Sequence, residues 1–229
     1  MTKASPLVRA LVAEAIGTFA LVFAGCGAIM VNAKTHQLGH IGVAFTFGLV
    51  IMFGIYAVGH ISGAHFNAAV TFAFALTRHF PWPRAFAYWT AQFVGAVAAA
   101  ALLRASLGNI ANVGATYPSG SDGQSFLWEV VMSAFLMFVI LAVATDTRAV
   151  GEAAAIAIGG TIGLDAMFGG PISGASMNPM RSLGPGIVAG DLHAIWVYLL
   201  APLVGTAVGG LAYQFVRGEP TRLASAEDS

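Results

Sequence analysis

The sequence predicts an all-α membrane protein with six transmembrane helices and two re-entrant half-helices in an inverted internal repeat. Three observations carry that reading. Hydrophobic residues make up 58% of the 229 residues and charged residues only 9%, where soluble domains carry roughly a quarter charged. The apolar residues come in unbroken stretches of helical length, without the alternation of barrel strands. Finally, Ile61-Ser62-Gly63-Ala64-His65-Phe66-Asn67-Ala68-Ala69 returns 111 residues later as Ile172-Ser173-Gly174-Ala175-Ser176-Met177-Asn178-Pro179-Met180.

The apolar stretches fall at about 7–31, 40–60, 82–104, 126–145, 150–170 and 193–216, separated by polar or Gly/Pro-rich connections. Each matches the roughly 20 residues a helix needs to cross the hydrocarbon core. The first is too long for a signal peptide and is interrupted by Glu14, so it is read as a retained span. If the N-terminus is cytoplasmic, Lys3, Arg9, Arg78, Arg84, Arg148, Arg217 and Arg222 lie inside and only Lys34 and Arg104 outside, with Arg181 set apart because it belongs to the repeated loop. The excess of cations predicts both termini in the cytoplasm, and the expected location is the plasma (inner) membrane. The net charge of zero suggests no nucleic-acid partner.

Cys26 is the only cysteine, so no intrachain disulfide forms. It lies among Ala24, Gly25, Gly27 and Ala28, small residues suited to close helix contact.

The repeat extends beyond the loops. Glu14 to Leu21 opens the first half and Glu129 to Leu136 the second, and the chain is read as one domain, 1–229, with halves at about 7–105 and 125–217. Three spans per half is an odd number, so the second copy is inverted and the two loops enter from opposite faces. After each Asn comes an apolar run too short to span, Ala68 to about Leu76 and Pro179 to about Val188. Helices of about 10 to 12 residues cover roughly half of the ~30 Å core, so two of them meet near the midplane. Nonhelical backbone at that depth is tolerated only where it is buried or lines a cavity.

Asn67 and Asn178 stand where N-caps are wanted. The side-chain oxygen of each accepts from first-turn N–H groups, leaving its NH2 to point to the centre of a pore. Pro179 suits the first helical position. Converging helix N-termini disfavour cations, and an oxygen held by both Asn groups turns its own hydrogens outward, interrupting a proton relay. The segments Gly63, Ala64, His65, Phe66 and Gly174, Ala175, Ser176, Met177 are read as extended, offering pore-lining carbonyls to a neutral solute.

On these residues the chain resembles the major intrinsic proteins, the aquaporin and glycerol-channel family, over about Glu14 to Tyr213. Within it, Tyr117 to Asp122, Ala144 to Arg148 and Gly170 to Pro179 look most like the nodulin-26-like branch and its bacterial relatives. The resemblance implies a passive channel for water and small uncharged solutes, excluding ions and protons. Glycerol, urea, boric acid and arsenous acid all fit in size and neutrality. It implies a homotetramer in the lipid bilayer, with no cofactor. It places an outer selectivity filter at Phe47, Ala166, Ala175 and Arg181 and makes Glu14 and Glu129 supports of the two loops. Water-selective members carry His at the second filter position; Ala there predicts a wider, more apolar constriction, with a strictly water-selective channel as the alternative. Arg181 in a first helical turn opposes the macrodipole, so something else must hold it.

Two positions depart from the family's Asn-Pro-Ala. Ala68 keeps the cap but loses the rigid first residue, and Met180 either narrows the midplane or fills space against the opposing half-helix, the second being expected. Asp165, beside Ala166, faces either a packed polar partner or the vestibule. His60 and His65 have neither a carboxylate nor a third His near in sequence, so no metal site is expected. A coupled carrier would place Asp, Glu or Lys at the centre, where this chain places two Asn; a junctional protein would need an extended adhesive surface, which the longest outer loop, about 105–125, does not offer. No nucleophile with a base and no phosphate loop points to an enzyme.

Overall fold

The computed structural model describes residues 4–145 and 153–217. Eight α-helices follow in order: α1 Pro6–Thr35, α2 Gly39–Ser62, α3 Ala68–Leu76, α4 Trp82–Leu107, α5 Asp122–Thr145, α6 Ala154–Ser173, α7 Pro179–Ala189 and α8 Ile195–Arg217. Among the described residues, α1, α2, α4, α5, α6 and α8 are long and apolar enough to cross a membrane. Both short helices begin at the residue following the repeated Asn, as the capping argument requires. The Lys3, Arg148 and Arg222 of the orientation reading lie outside the described residues.

Some boundaries differ from the sequence reading. α6 runs on to Ser173 through Pro171, which lies inside the helix. Proline removes one helical hydrogen bond and ordinarily breaks the helix. Here the Met167 carbonyl that it leaves unpaired is taken by His40 Nε2 at 2.7 Å, so the helix continues to its left-handed cap at Gly174 (φ 85°).

The bundle is built from matching pairs, with α1 packed along α4 and α5 along α8. The crossing points are glycines. A β-carbon on Gly95 of α4 would overlap the Ala15 carbonyl of α1, and one on Gly205 or Gly209 of α8 would overlap the Val130 or Ala134 carbonyl of α5. Such contact lets backbones approach where lipid supplies no hydrophobic drive between helices. The two halves also meet crosswise, α2 packing along α6.

The polarity is that of a membrane protein. Ile16, Phe53, Phe86, Leu127 and Phe215 are exposed, whereas Glu14, Thr18, Gln92, Glu129, Ser133 and Thr206 are wholly buried. Ionisable groups in spans are expensive and turn inward toward partners or a cavity. The buried carboxyl groups therefore point to the functional interior.

Candidate functional site: the central pore

Asn67 and Asn178 build the centre. Both have extended backbone (φ −148° and −149°), the geometry of an N-cap. Asn67 Oδ1 accepts from Ala69 N at 2.8 Å and Val70 N at 3.4 Å. Asn178 Oδ1 accepts from Met180 N at 3.0 Å and Arg181 N at 3.5 Å. Each amide then reaches across the repeat: Asn67 Nδ2 donates to Met177 O at 2.8 Å and Asn178 Nδ2 to Phe66 O at 2.9 Å. This reciprocal pair staples the two half-helices tip to tip. Each NH2 has two hydrogens, so one per Asn is spent on the staple and the other remains for a further acceptor. Each helix N-terminus adds about half a positive charge to the same point.

The crossing bonds correct the reading of the carbonyl rows. The Phe66 and Met177 carbonyls accept from the opposite Asn. Phe66 is 1% exposed, with its ring in the hollows left by Gly17 and Gly54, and does not line the cavity. The segments are not extended either: Gly63, Ala64 and Phe66 have φ of 86°, 50° and 49°, and Gly174, Ala175 and Met177 of 85°, 42° and 52°. With left-handed residues in each loop, the backbone N–H groups of His65, Phe66, Ser176 and Met177 turn toward the protein.

The protein side is where Glu14 and Glu129 act. Glu14 accepts from Ser62 Oγ (2.8 Å), His65 N (2.9 Å), Phe66 N (2.8 Å) and Gln92 Nε2 (2.8 Å). Glu129 accepts from Ser173 Oγ (2.8 Å), Ser176 N (2.8 Å) and Met177 N (2.7 Å). Buried N–H groups need acceptors, and a carboxyl group on a neighbouring helix supplies several at once. Two tyrosines repeat the device on the preceding turn: Tyr88 OH donates to Ser62 O at 2.8 Å and Tyr198 OH to Ser173 O at 2.6 Å. Sequence reasoning missed both, although Tyr88 and Gly95 recur 110 residues later as Tyr198 and Gly205.

A cavity of about 450 Å³ runs past the junction from Val70, Phe74 and Ala154 to Phe47 and Arg181. A second, of about 310 Å³, lies beyond it against His40, Thr116 and Tyr117. Among the described residues, Phe47, Ala166, Ala175 and Arg181 border both, and no other does. His65 lines the inner cavity with Nδ1 3.0 Å from Thr71 Oγ1 and its ring 4.8 Å from that of Phe74.

Arg181 is 2% exposed, its Nη1 donating to Gly114 O at 2.9 Å and its guanidinium 5.0 Å above the Phe47 ring. The carbonyl and the ring's negative face offset the unfavourable helix end. Gly114 belongs to the tight turn Ile110–Gly114, where Ala111, Asn112 and Val113 have φ of 46°, 47° and 55°. Nothing in the local sequence marks this turn as the holder of Arg181. Thr116 Oγ1, just beyond it, donates to Ser182 Oγ at 2.7 Å, tying the same segment to α7.

Of the remaining expected positions, Met180 borders neither cavity and packs as expected, but against the cluster of Val22, Cys26 and Met30 on α1 where the opposing half-helix was the expected partner. Ala68 is buried, and its carbonyl accepts from Trp89 Nε1 at 3.0 Å. Asp165 is 1% exposed and borders neither cavity, which removes it from the vestibule. A packed hydrogen-bond partner is not seen for its Oδ2 among the described residues.

The family model described as "Major intrinsic protein" matches residues 1–213. "Aquaporin NIP1-1" of Oryza sativa subsp. japonica is 50% identical over 93% of this chain and 75% of its own length. "Nodulin-26" of Glycine max is 50% identical over 93% of this chain and 79% of its own length. The solved aquaglyceroporin from Plasmodium falciparum superposes with a TM-score of 0.81 at 28% identity, covering 93% of this chain and 97% of that one. With six apolar helices, two capped half-helices and a cavity past their junction, the chain belongs to the major intrinsic protein family and is a membrane channel for water and small solutes, not an enzyme.

Proposed function

We propose that this channel passes glycerol and other small uncharged solutes, boric acid among them, as well as water, and excludes ions and protons. One observation carries the reading: among the described residues, Phe47, Ala166, Ala175 and Arg181 alone border both the inner and the outer cavity. Two methyl groups face a ring and a guanidinium there. A solute's carbon edge can lie against Phe47 and the alanines while its oxygens accept from Arg181. Cations meet Arg181 and then the two helix N-termini at Asn67 and Asn178, so both stations oppose positive charge. A water at the centre accepts from the remaining Asn hydrogens and orients its own hydrogens away, which breaks the proton wire.

The decisive experiment is stopped-flow light scattering of proteoliposomes in parallel sucrose, glycerol and boric acid gradients. Glycerol influx well above that of protein-free vesicles is expected. Fast water flux with glycerol at the protein-free rate would mean a strictly water-selective channel.

Met180 lies outside the cavity lining, so Met180→Ala is expected to keep unit water and glycerol permeability within about twofold of the parent. Because Met180 is partly buried in a packed cluster, its truncation lowers stability by about 1–2 kcal/mol. A large rise in permeability would return Met180 to the pore.

The reading includes a homotetramer in a plasma or inner membrane, one pore per subunit, with both termini cytoplasmic. The charge at the helix ends supports the orientation: Arg9, Arg78, Arg84 and Arg217 stand at one set of ends and only Lys34 and Arg104 at the other.

A further inference from the structure

Phe47 and Ala166 face each other across the filter from different helices, α2 and α6. Their separation depends on what fixes those helices at the outer rim. His40 stands seven residues before Phe47, two turns up the same face of α2 and about 10 Å away along its axis. Its Nε2 lies 2.7 Å from the carbonyl of Met167, the residue that follows Ala166. A carbonyl only accepts, so Nε2 carries the hydrogen and donates.

Two further features serve this one bond. Pro171 lacks the N–H that would otherwise occupy the Met167 carbonyl, so the acceptor is free for a partner outside the helix. Gly170 leaves the space the ring fills: a β-carbon there would lie 2.8 Å from His40 Cε1. Acceptor, cradle and donor come from three separate residues. His40 also borders the outer cavity with the four filter residues and does not reach the inner one.

We propose that His40 is a positioning residue for the selectivity filter, tying the head of α2 to the turn of α6 that carries Ala166 and so setting the width across which solutes are sorted. The proposal rests on the reading of Phe47, Ala166, Ala175 and Arg181 as the filter. It acts through helix position, not through contact with the solute.

The test compares the parent with His40→Ala, His40→Gln and Gly170→Ala in proteoliposomes, measuring water, glycerol and erythritol permeability by stopped-flow. In His40→Ala the clamp is gone, and the erythritol-to-glycerol permeability ratio rises about threefold, the scale of one neutral hydrogen bond. Gly170→Ala keeps the imidazole but displaces it, and raises the ratio likewise. His40→Gln, whose amide can donate to the same carbonyl, returns the ratio toward the parent's. If His40→Ala fails to fold, Gly170→Ala and His40→Gln carry the comparison alone.

An unchanged or lowered ratio in the folded Ala variants overturns the proposal, as does a folded Gln variant that behaves like Ala. A parent that passes water but neither polyol overturns the wide-filter reading instead. Water permeability then decides on His40: a rise in His40→Ala with recovery in His40→Gln supports the clamp, and equal rates in all variants overturn it.

Discussion

Replacing Glu129 by Ala is expected to lower unit water permeability by at least about tenfold. Three donors, Ser173 Oγ, Ser176 N and Met177 N, would lose their shared acceptor in a region closed to solvent. Leaving each unsatisfied costs about 1–3 kcal/mol. The loop is held in left-handed backbone at Gly174, Ala175 and Met177, and two of these three residues have a β-carbon that opposes that conformation. Without its acceptor the loop relaxes, and Ala175 leaves the cavity boundary while the Met177 carbonyl leaves Asn67. Glu129→Gln keeps one acceptor oxygen but turns an NH2 toward a donor, so an intermediate loss is expected. Stopped-flow rates normalised to reconstituted protein check the order parent, Gln, Ala. Parent-like flux in a folded Ala variant would mean that the loop holds itself.

The second large effect is on assembly. Gly209→Val is expected to yield aggregate on detergent extraction, or a protein that melts about 5–10 °C lower. The new side chain would overlap the Ala134 carbonyl, and backbone cannot step aside as a flexible side chain can. α5 and α8 must separate along their contact, and overpacking of this kind costs about 1–3 kcal/mol or more. Gly160→Ala supplies the control: nothing lies within 4 Å of a β-carbon there, and Ala favours helix over Gly, so stability holds or rises slightly. Size-exclusion profiles with thermal melts separate the two variants. A monodisperse Gly209→Val with the parent's melting point would show that the helix crossing has slack.

The correspondence between sequence and structure is uneven, and the pattern has a cause. The starts of α3 and α7 were legible because an N-cap is decided within four residues: Asn67 and Asn178 each bond to N–H groups two and three positions on. The end of α6 was misjudged because proline ordinarily stops a helix, and the residue that compensates, His40, is 127 residues away from Met167. The Asn amides were expected to point freely into the pore, yet each gives one hydrogen to a carbonyl 110 or 112 residues distant. The two loops read as extended in the sequence because positive φ at Ala64, Phe66, Ala175 and Met177 falls on residues other than glycine, which carry no local signal for it.

By itself the sequence determined the membrane class, the number of spans, the duplicated halves and the two capped half-helices. Those properties follow from composition, run length and short-range hydrogen bonding, all of which are local. Tertiary structure alone decided that the Phe66 and Met177 carbonyls are taken by the opposite Asn, that the Gly114 carbonyl holds Arg181, that Met180 packs away from the cavity and that, among the described residues, Asp165 is buried without a donor at Oδ2. Each of these depends on where one helix crosses another, and a crossing is set by the close approach of residues such as Gly95 to Ala15 and Gly209 to Ala134, which no local periodicity encodes.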